Sequence, residues 1–240
     1  MIKFKIVLPV LMLCFLMLSC KALIYKLNVP ATVKTEKLVN DEGREVVIFE
    51  MAHLAKPKFY RSVSEKIESL RQEGYVVYFE SVEFEPTQDS LTKDRQKRKV
   101  RKLLGHDLTT DYKDSTNLSL PKHFGNSKYV MQSVENIGLD LESDKLVDLT
   151  AQEIIEKYEA KYGEMELNEC DLNTDFGEKY ECTEAGEVDS FYALNTIRED
   201  YIAEYVSESS DQKIALVYGK SHHYFIRANL RDLAGFQPVD

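Results

Sequence analysis

Two imidazoles and a carboxylate stand at comparable points along this 240-residue chain. His53 follows an apolar run at residues 46–49 (Val-Val-Ile-Phe). Glu80 closes a second run at residues 75–79 (Tyr-Val-Val-Tyr-Phe). His222 follows a third at residues 214–218 (Ile-Ala-Leu-Val-Tyr). Two His and one carboxylate form a common ligand set for a catalytic divalent metal, with one position left for water. Such an ion polarises a scissile carbonyl and lowers the pKa of its bound water to about 7. Glu80 would serve as ligand or as base, and the sequence leaves both open. The competing reading is that each His only hydrogen-bonds within its loop. For a single His that account suffices, and the argument for a shared site is the repetition at three strand ends.

These groups need a sheet edge on which to meet. The runs at 46–49 and 75–79 read as buried strands. Between them Val63, Ile67 and Leu70 share a helical face. Residues 62–65 (Ser-Val-Ser-Glu) have the spacing of a capping box, and Gly74 is placed to end the helix. Strand, helix and strand in sequence predict a βαβ unit with parallel strands and a right-handed crossover. If the two strands are adjacent, about 4.8 Å apart, His53 and Glu80 project from one edge. That edge, at the strands' C-terminal ends, is where open α/β sheets bind ligands. His222 joins them if its strand runs the same way. Residues 47–53 and 216–222 echo each other weakly, each placing a His after a strand and before a helix, as two similar halves of one sheet would.

The middle of the chain is polar. Residues 81–128 read as a helical insertion or lid, and residues 93–102 carry seven basic side chains against Asp94. A solvated helix is the expected form there. His106 and His123 fall in this segment and read as solvent-exposed. Residues 129–137 are helical in pattern and stop at Gly138. Residues 150–153 (Thr-Ala-Gln-Glu) have capping-box spacing at the head of a helix. Residues 163–189 form an acidic surface excursion. Leu194, Ile197, Tyr201 and Tyr205 make a helical stripe. A last helix carries Ile226, Leu230 and Leu233 on one face and ends at Gly235.

The N-terminus has a basic start, an apolar stretch at 6–18 and the ending Met-Leu-Ser-Cys at 17–20. The stretch is short for a membrane span and fits the core of a signal peptide. The ending resembles a bacterial lipobox, which makes Cys20 the lipidated first residue of an exported protein. The alternative is an uncleaved anchor, which Lys21 interrupts. Residues 1–19 are then a signal peptide, 20–43 a tether and 44–240 the folded domain. Loss of Lys3 and Lys5 leaves 29 basic against 41 acidic residues, a formal charge of −12. That balance argues against non-specific nucleic-acid binding and against electrostatic docking on anionic lipid. Cys170 and Cys182 remain beyond Cys20, and in an oxidising compartment they are expected to form a disulfide.

Residues 47–82, with His53, the following helix and Glu80, resemble the opening of the TraB/PrgY/GumN (TIKI-like) family: a strand, a GxxH motif, a helix and a strand ending in Glu. Residues 136–139 and 147–150 look like its mid-chain segment. Residues 196–203 look like its Arg-containing helix. Residues 219–222 (Gly-Lys-Ser-His), with Leu230, Gly235 and Phe236, resemble its second GxxH motif and closing helix. The resemblance spans most of residues 45–237. It implies an α/β fold: a central mixed, largely parallel sheet flanked by helices, in two similar βα halves, as in erythromycin esterase-like and ChaN-like proteins. It also implies a metal-dependent peptidase or hydrolase site at His53, Glu80 and His222, with the family Arg at Arg198. The first motif reads Glu-Met-Ala-His, so Glu50 stands where the family has Gly. Glu50 would supply a further ligand or base, or fill the pocket and abolish activity.

The expected function is hydrolysis of extracytoplasmic peptides with a divalent ion (Mn, Co or Zn) at the sheet edge. The alternative is a non-catalytic, lipid-anchored member that binds or sequesters peptides. A purely structural envelope protein is the third reading, and scattered rather than convergent His53, Glu80 and His222 would favour it.

Overall fold

The computed structural model describes residues 31–86, 89–110, 113, 128–182 and 190–239. The signal segment, Cys20 and His123 lie outside the described residues. In chain order the elements are strands β1 (Thr35–Val39), β2 (Glu45–Met51) and β3 (Leu54–Ala55), helix α1 (Pro57–Gln72), strand β4 (Val76–Phe79) and helix α2 (Ser90–Leu104). Then come β5 (Val130–Met131), α3 (Val134–Ile137), β6 (Lys145–Leu146), α4 (Ala151–Tyr162), α5 (Glu169–Asn173), α6 (Ser190–Glu208), β7 (Lys213–Gly219), α7 (His223–Ala234) and β8 (Gln237–Pro238).

Six strands form a mixed sheet in the order β6-β4-β7-β2-β1-β8. The run β6, β4, β7, β2 is parallel, and β1 turns back antiparallel to β2. The α/β class and the largely parallel sheet match the expectation. The expected adjacency of β2 and β4 does not hold, because β7 inserts between them, pairing Ala215 with both Val47 and Val77. β7 is the strand best suited to the centre: six of its seven residues are buried, as a strand covered on both faces requires.

Each face of the sheet carries its own core. On one side α1 packs Phe59, Val63, Ile67 and Leu70 onto Val47, Phe49, Val77, Ala215 and Val217. On the other, Ile202 and Val206 of α6 and Ile226 and Leu230 of α7 cover Val46, Ile48, Ile214, Leu216 and Tyr218. Each such aliphatic side chain contributes about 1.5–3 kcal/mol on burial. The N-terminal half of α6 turns to a third cluster, where Leu194 and Ile197 meet Leu103, Leu149 and Ile154. The helices of the middle segment therefore pack on the half of α6 that leaves the sheet.

Several local expectations change. Residues 35–39, assigned to the tether, form β1 and pair with β2 along their whole length. The capping box at 62–65 is not used, since α1 already begins at Pro57. Ser62 Oγ instead donates to Phe59 O (2.6 Å) and accepts Val33 N–H (2.8 Å). Residues 129–137 are not one helix: Val130 and Met131 pair with β3, and one capped turn follows. That turn ends at Gly138, at φ 73°, where a Cβ would lie 2.5 Å from Ser64 Oγ of α1. The capping box at Thr150 and Glu153 forms as expected, and Cys170 and Cys182 are disulfide-bonded.

The basic helix α2 forms, but not as a solvated rod. Lys99 and Arg101 are buried, and Arg101 is fully enclosed. Among the described residues no helix is long and apolar enough to cross a membrane.

Candidate functional site at the C-terminal edge of the sheet

Arg198 organises this edge. α6 presents it beside Ile197, one position around from the apolar stripe, so it points at the strand ends rather than between the helices. Its Nε donates to Asp148 Oδ1 at 3.0 Å, and its Nη2 reaches both Asp148 Oδ2 and Glu80 Oε1, the latter at 2.7 Å. Its Nη1 lies 3.4 Å from His222 Nε2. Burial opposes its charge, but Glu80 and Asp148 hold it firmly ionised.

Each partner reaches Arg198 from a strand end. Glu80 follows β4, and its Oε2 accepts the backbone N–H of Gly219 at 2.7 Å. A side chain at 219 would bring a Cβ to 3.3 Å from that oxygen, so glycine lets the carboxylate seat closely. Burial favours the neutral acid at Glu80, yet Arg198 and His222 outweigh it and hold its pKa well below the usual range. Asp148 follows β6, where burial raises its pKa against the pull of Arg198. His222 follows β7 and is only 4 % exposed. Its Nδ1 meets Glu199 Oε1 at 2.9 Å, and its Nε2 lies 3.5 Å from Glu80 Oε1. Burial pulls its pKa down, but hydrogen bonds to Glu199 and Glu80 prevail and raise it to about 9.

His53 is the exposed member of the group. Its backbone carbonyl accepts Gln132 N–H at 2.8 Å, which fixes the loop after β2. Solvent reaches its ring. Protein still crowds it enough for burial to lower its pKa, with Glu80, Arg198, His222 and His106 all in electrostatic range. At neutral pH it is an uncharged imidazole able to accept a proton.

The edge thus gathers His53, Glu80, Arg198 and His222. Glu50 shares the edge but stays outside the Arg198 network, its carboxylate 3.4 Å from Lys220 Nζ. His223 turns away to Glu36 of β1, at 3.1 Å. His106, expected in solvent, is half-buried and acts electrostatically on His53 from the middle segment. Two buried carboxylates escaped the sequence reading. Glu199 adjoins Arg198 within the recognised helix, and Asp148 lies at the end of a strand two residues long. The signal for Asp148 was a lone acid after Leu146 and Val147, too short to read as a strand.

As arranged, the three expected ligands do not fit a divalent ion. Among the described residues no group of three or more His, Cys, Asp or Glu is placed to hold one. Both Glu80 oxygens are committed, to Gly219 N–H and to Arg198. The guanidinium stands where an ion shared by Glu80 and His222 would have to lie. A groove of about 450 Å³, lined by Asp94, Arg95, Arg98, Glu164 and Glu166 among others, contains none of the site residues.

Compared with known proteins, the chain matches no family model, no curated protein and no solved structure.

Proposed function

We propose that this chain is a hydrolase of peptides outside the cytoplasm, with its reaction centred on Arg198. The observation that carries this reading is one guanidinium bridging Glu80 and Asp148 against His222, in electrostatic range of an exposed His53 whose pKa burial lowers. His53 takes a proton from water as that water attacks a carbonyl, and the imidazolium returns the proton to the leaving amine nitrogen as the C–N bond breaks. Nη1 of Arg198 faces the developing oxyanion, where a fixed positive donor is worth most. Glu80 locks the guanidinium in place and favours the imidazolium that forms on His53. The resemblance to the TraB/PrgY/GumN family supports the peptide as substrate. The Cys170–Cys182 disulfide supports an oxidising compartment, in line with an exported chain tethered by a lipid on Cys20.

The test is a peptide-library cleavage screen with the full-length protein in detergent, run with chelator and with added Mn, Co or Zn. The expected result is chelator-resistant cleavage that His53→Ala reduces by about 100-fold or more. Chelator-sensitive cleavage with retained metal would install the metal-dependent form of the enzyme instead. Peptide binding without cleavage under every condition would install the sequestering reading.

A further inference from the structure

The described chain begins at residue 31, and it enters the fold at the edge that carries the candidate site. β1 runs antiparallel to β2, so its first residues lie beside the last residues of β2. Glu50 N–H donates to Lys34 O at 3.0 Å, and Val33 N–H donates to Ser62 Oγ of α1 at 2.8 Å. Lys220 N–H donates to Met51 O at 2.9 Å, which joins the turn after β7 to the same end. His222 follows β7, two strands from β1 in the sheet, or about 10 Å.

The side chains beside this entry point have an interfacial character. Glu36 of β1 meets both His223 and Arg227 of α7 at 3.1 Å. The Arg227 guanidinium lies 5.9 Å from the ring centre of Tyr224, which packs edge-on against Phe225 at 5.2 Å. Tyr224 is 62 % exposed. An open tyrosine beside an arginine suits a membrane–water boundary, with the ring at headgroup level and the cation in water.

We infer that the C-terminal edge of the sheet faces the lipid surface that holds Cys20, and that the peptides cleaved there belong to membrane-bound chains close to that surface. This rests on the lipidation of Cys20 and, for the substrates, on the hydrolase reading. Residue 31 follows Cys20 by eleven positions, which span at most about 40 Å at full extension. A domain of this size is itself about 40 Å across. The opposite edge therefore meets lipid only if the linking residues stretch to their full length along the side of the domain. The site, joined at the near edge, stays within about 50 Å of the surface in every orientation. The acidic balance of the chain gives no attraction to anionic headgroups, so the point of attachment and the aromatic contact set this orientation rather than charge.

Energy transfer to acceptor-labelled headgroups tests the orientation, with the full-length lipidated protein in phosphatidylcholine vesicles. With residues 1–19 removed, Cys20 lipidated and Cys170 bridged to Cys182, an introduced cysteine is the one free thiol for a donor dye. Ser221→Cys places the dye in the exposed turn after β7, at the near edge, and Glu42→Cys places it in the exposed turn between β1 and β2, at the far edge. The dye at 221 is expected to lie closer to lipid by about 20 Å, the length of β2. Equal heights, or the dye at 42 closer, overturn the inference. Protein that does not stay with the vesicles overturns the anchor and the inference with it, and leaves the hydrolase reading standing. With a cleavable peptide in hand, a lipid-linked copy on the same vesicles is cleaved about 10²-fold faster than the free peptide, and Cys20→Ser removes that preference. No preference overturns the substrate class even if the orientation stands. Absence of any cleavage defeats the hydrolase reading and the substrate class with it, while the two dye heights still decide the orientation.

Discussion

Three arginines are buried among the described residues, Arg44, Arg101 and Arg198, and the surroundings of the last two differ in kind. Arg101 of α2 is 0 % exposed and is met mainly by neutral groups: the carbonyls of Asp171, Thr174 and Asp175, and the faces of Phe176 and Tyr180, with one carboxylate, Asp107, farther off at 3.7 Å. Arg198 of α6 is 6 % exposed and is met by ionisable groups: Glu80, Asp148 and His222. Carbonyls and rings keep the same character at every pH, and they hold a guanidinium in one pose. Arg101 accordingly clamps the disulfide-bonded segment to α2, helped by Arg98 on the same carbonyls and Lys102 on Asp171. Carboxylates and an imidazole titrate and exchange partners, so Arg198 sits where charge can move. Burial of a cation is therefore no sign of function by itself. The chemistry of its partners distinguishes a strut from a site.

The sharpest way to break this contrast is to remove each cation in turn. Arg198→Met is expected to reduce peptide cleavage by about 10²–10³-fold, measured as kcat/KM on a peptide from the screen. Arg101→Met should instead cost about 2–4 kcal/mol in denaturant unfolding, with kcat of the folded fraction retained. If Arg101→Met abolished turnover in folded protein, the two arginines would not divide as argued. Opening the disulfide with Cys170→Ser and Cys182→Ser is expected to cost about 2–3 kcal/mol and to spare the C-terminal edge of the sheet, read by the same two assays.

The pH response should belong to the Arg198 side. The pKa of His222 is raised in the folded state, from about 6.5 to about 9. Its stabilising contribution is fully present below about pH 6.5 and is lost as pH rises through about 9. Glu80 behaves in the opposite sense, with stability present above its ordinary range near 4.5 and lost as acid reaches its depressed folded pKa. Thermal melts from pH 6 to 10 should fall for the wild type, stay flatter for His222→Gln, and keep the wild-type slope in Arg101→Met. The smallest effect is expected from Glu50→Gln. It loses a half-exposed contact with Lys220 and should shift stability by less than about 1 kcal/mol. A large loss of activity there would bring Glu50 into the site.

The legible part of this molecule was its local part. His53, Glu80 and His222 could be placed because a strand end is visible as the end of an apolar run. The helix α4 could be placed because its capping box lies within four residues. Strands β1 and β6 were not legible: one carries alternating exposed residues, and the other has two residues whose pairing with Tyr78 and Phe79 defines it. The basic run of α2 looked solvated because its partners, the carbonyls of residues 171–175, lie about 70 positions away and carry no side-chain signature.

The amino-acid sequence by itself determined the α/β class, the position of His53, Glu80 and His222 after strand ends, and the pairing of Cys170 with Cys182. Apolar periodicity, strand-end position and cysteine count are properties of short stretches, so they survive without the fold. Tertiary structure alone decided that β7 lies between β2 and β4, which spaces the strand ends that carry His53 and Glu80. It also decided that Arg198 bridges Glu80 and Asp148 and lies against His222. Asp148 and Glu80 reach that guanidinium from 50 and 118 residues away. Only chain packing can choose among partners so distant, because a charge acts through space and not along the sequence.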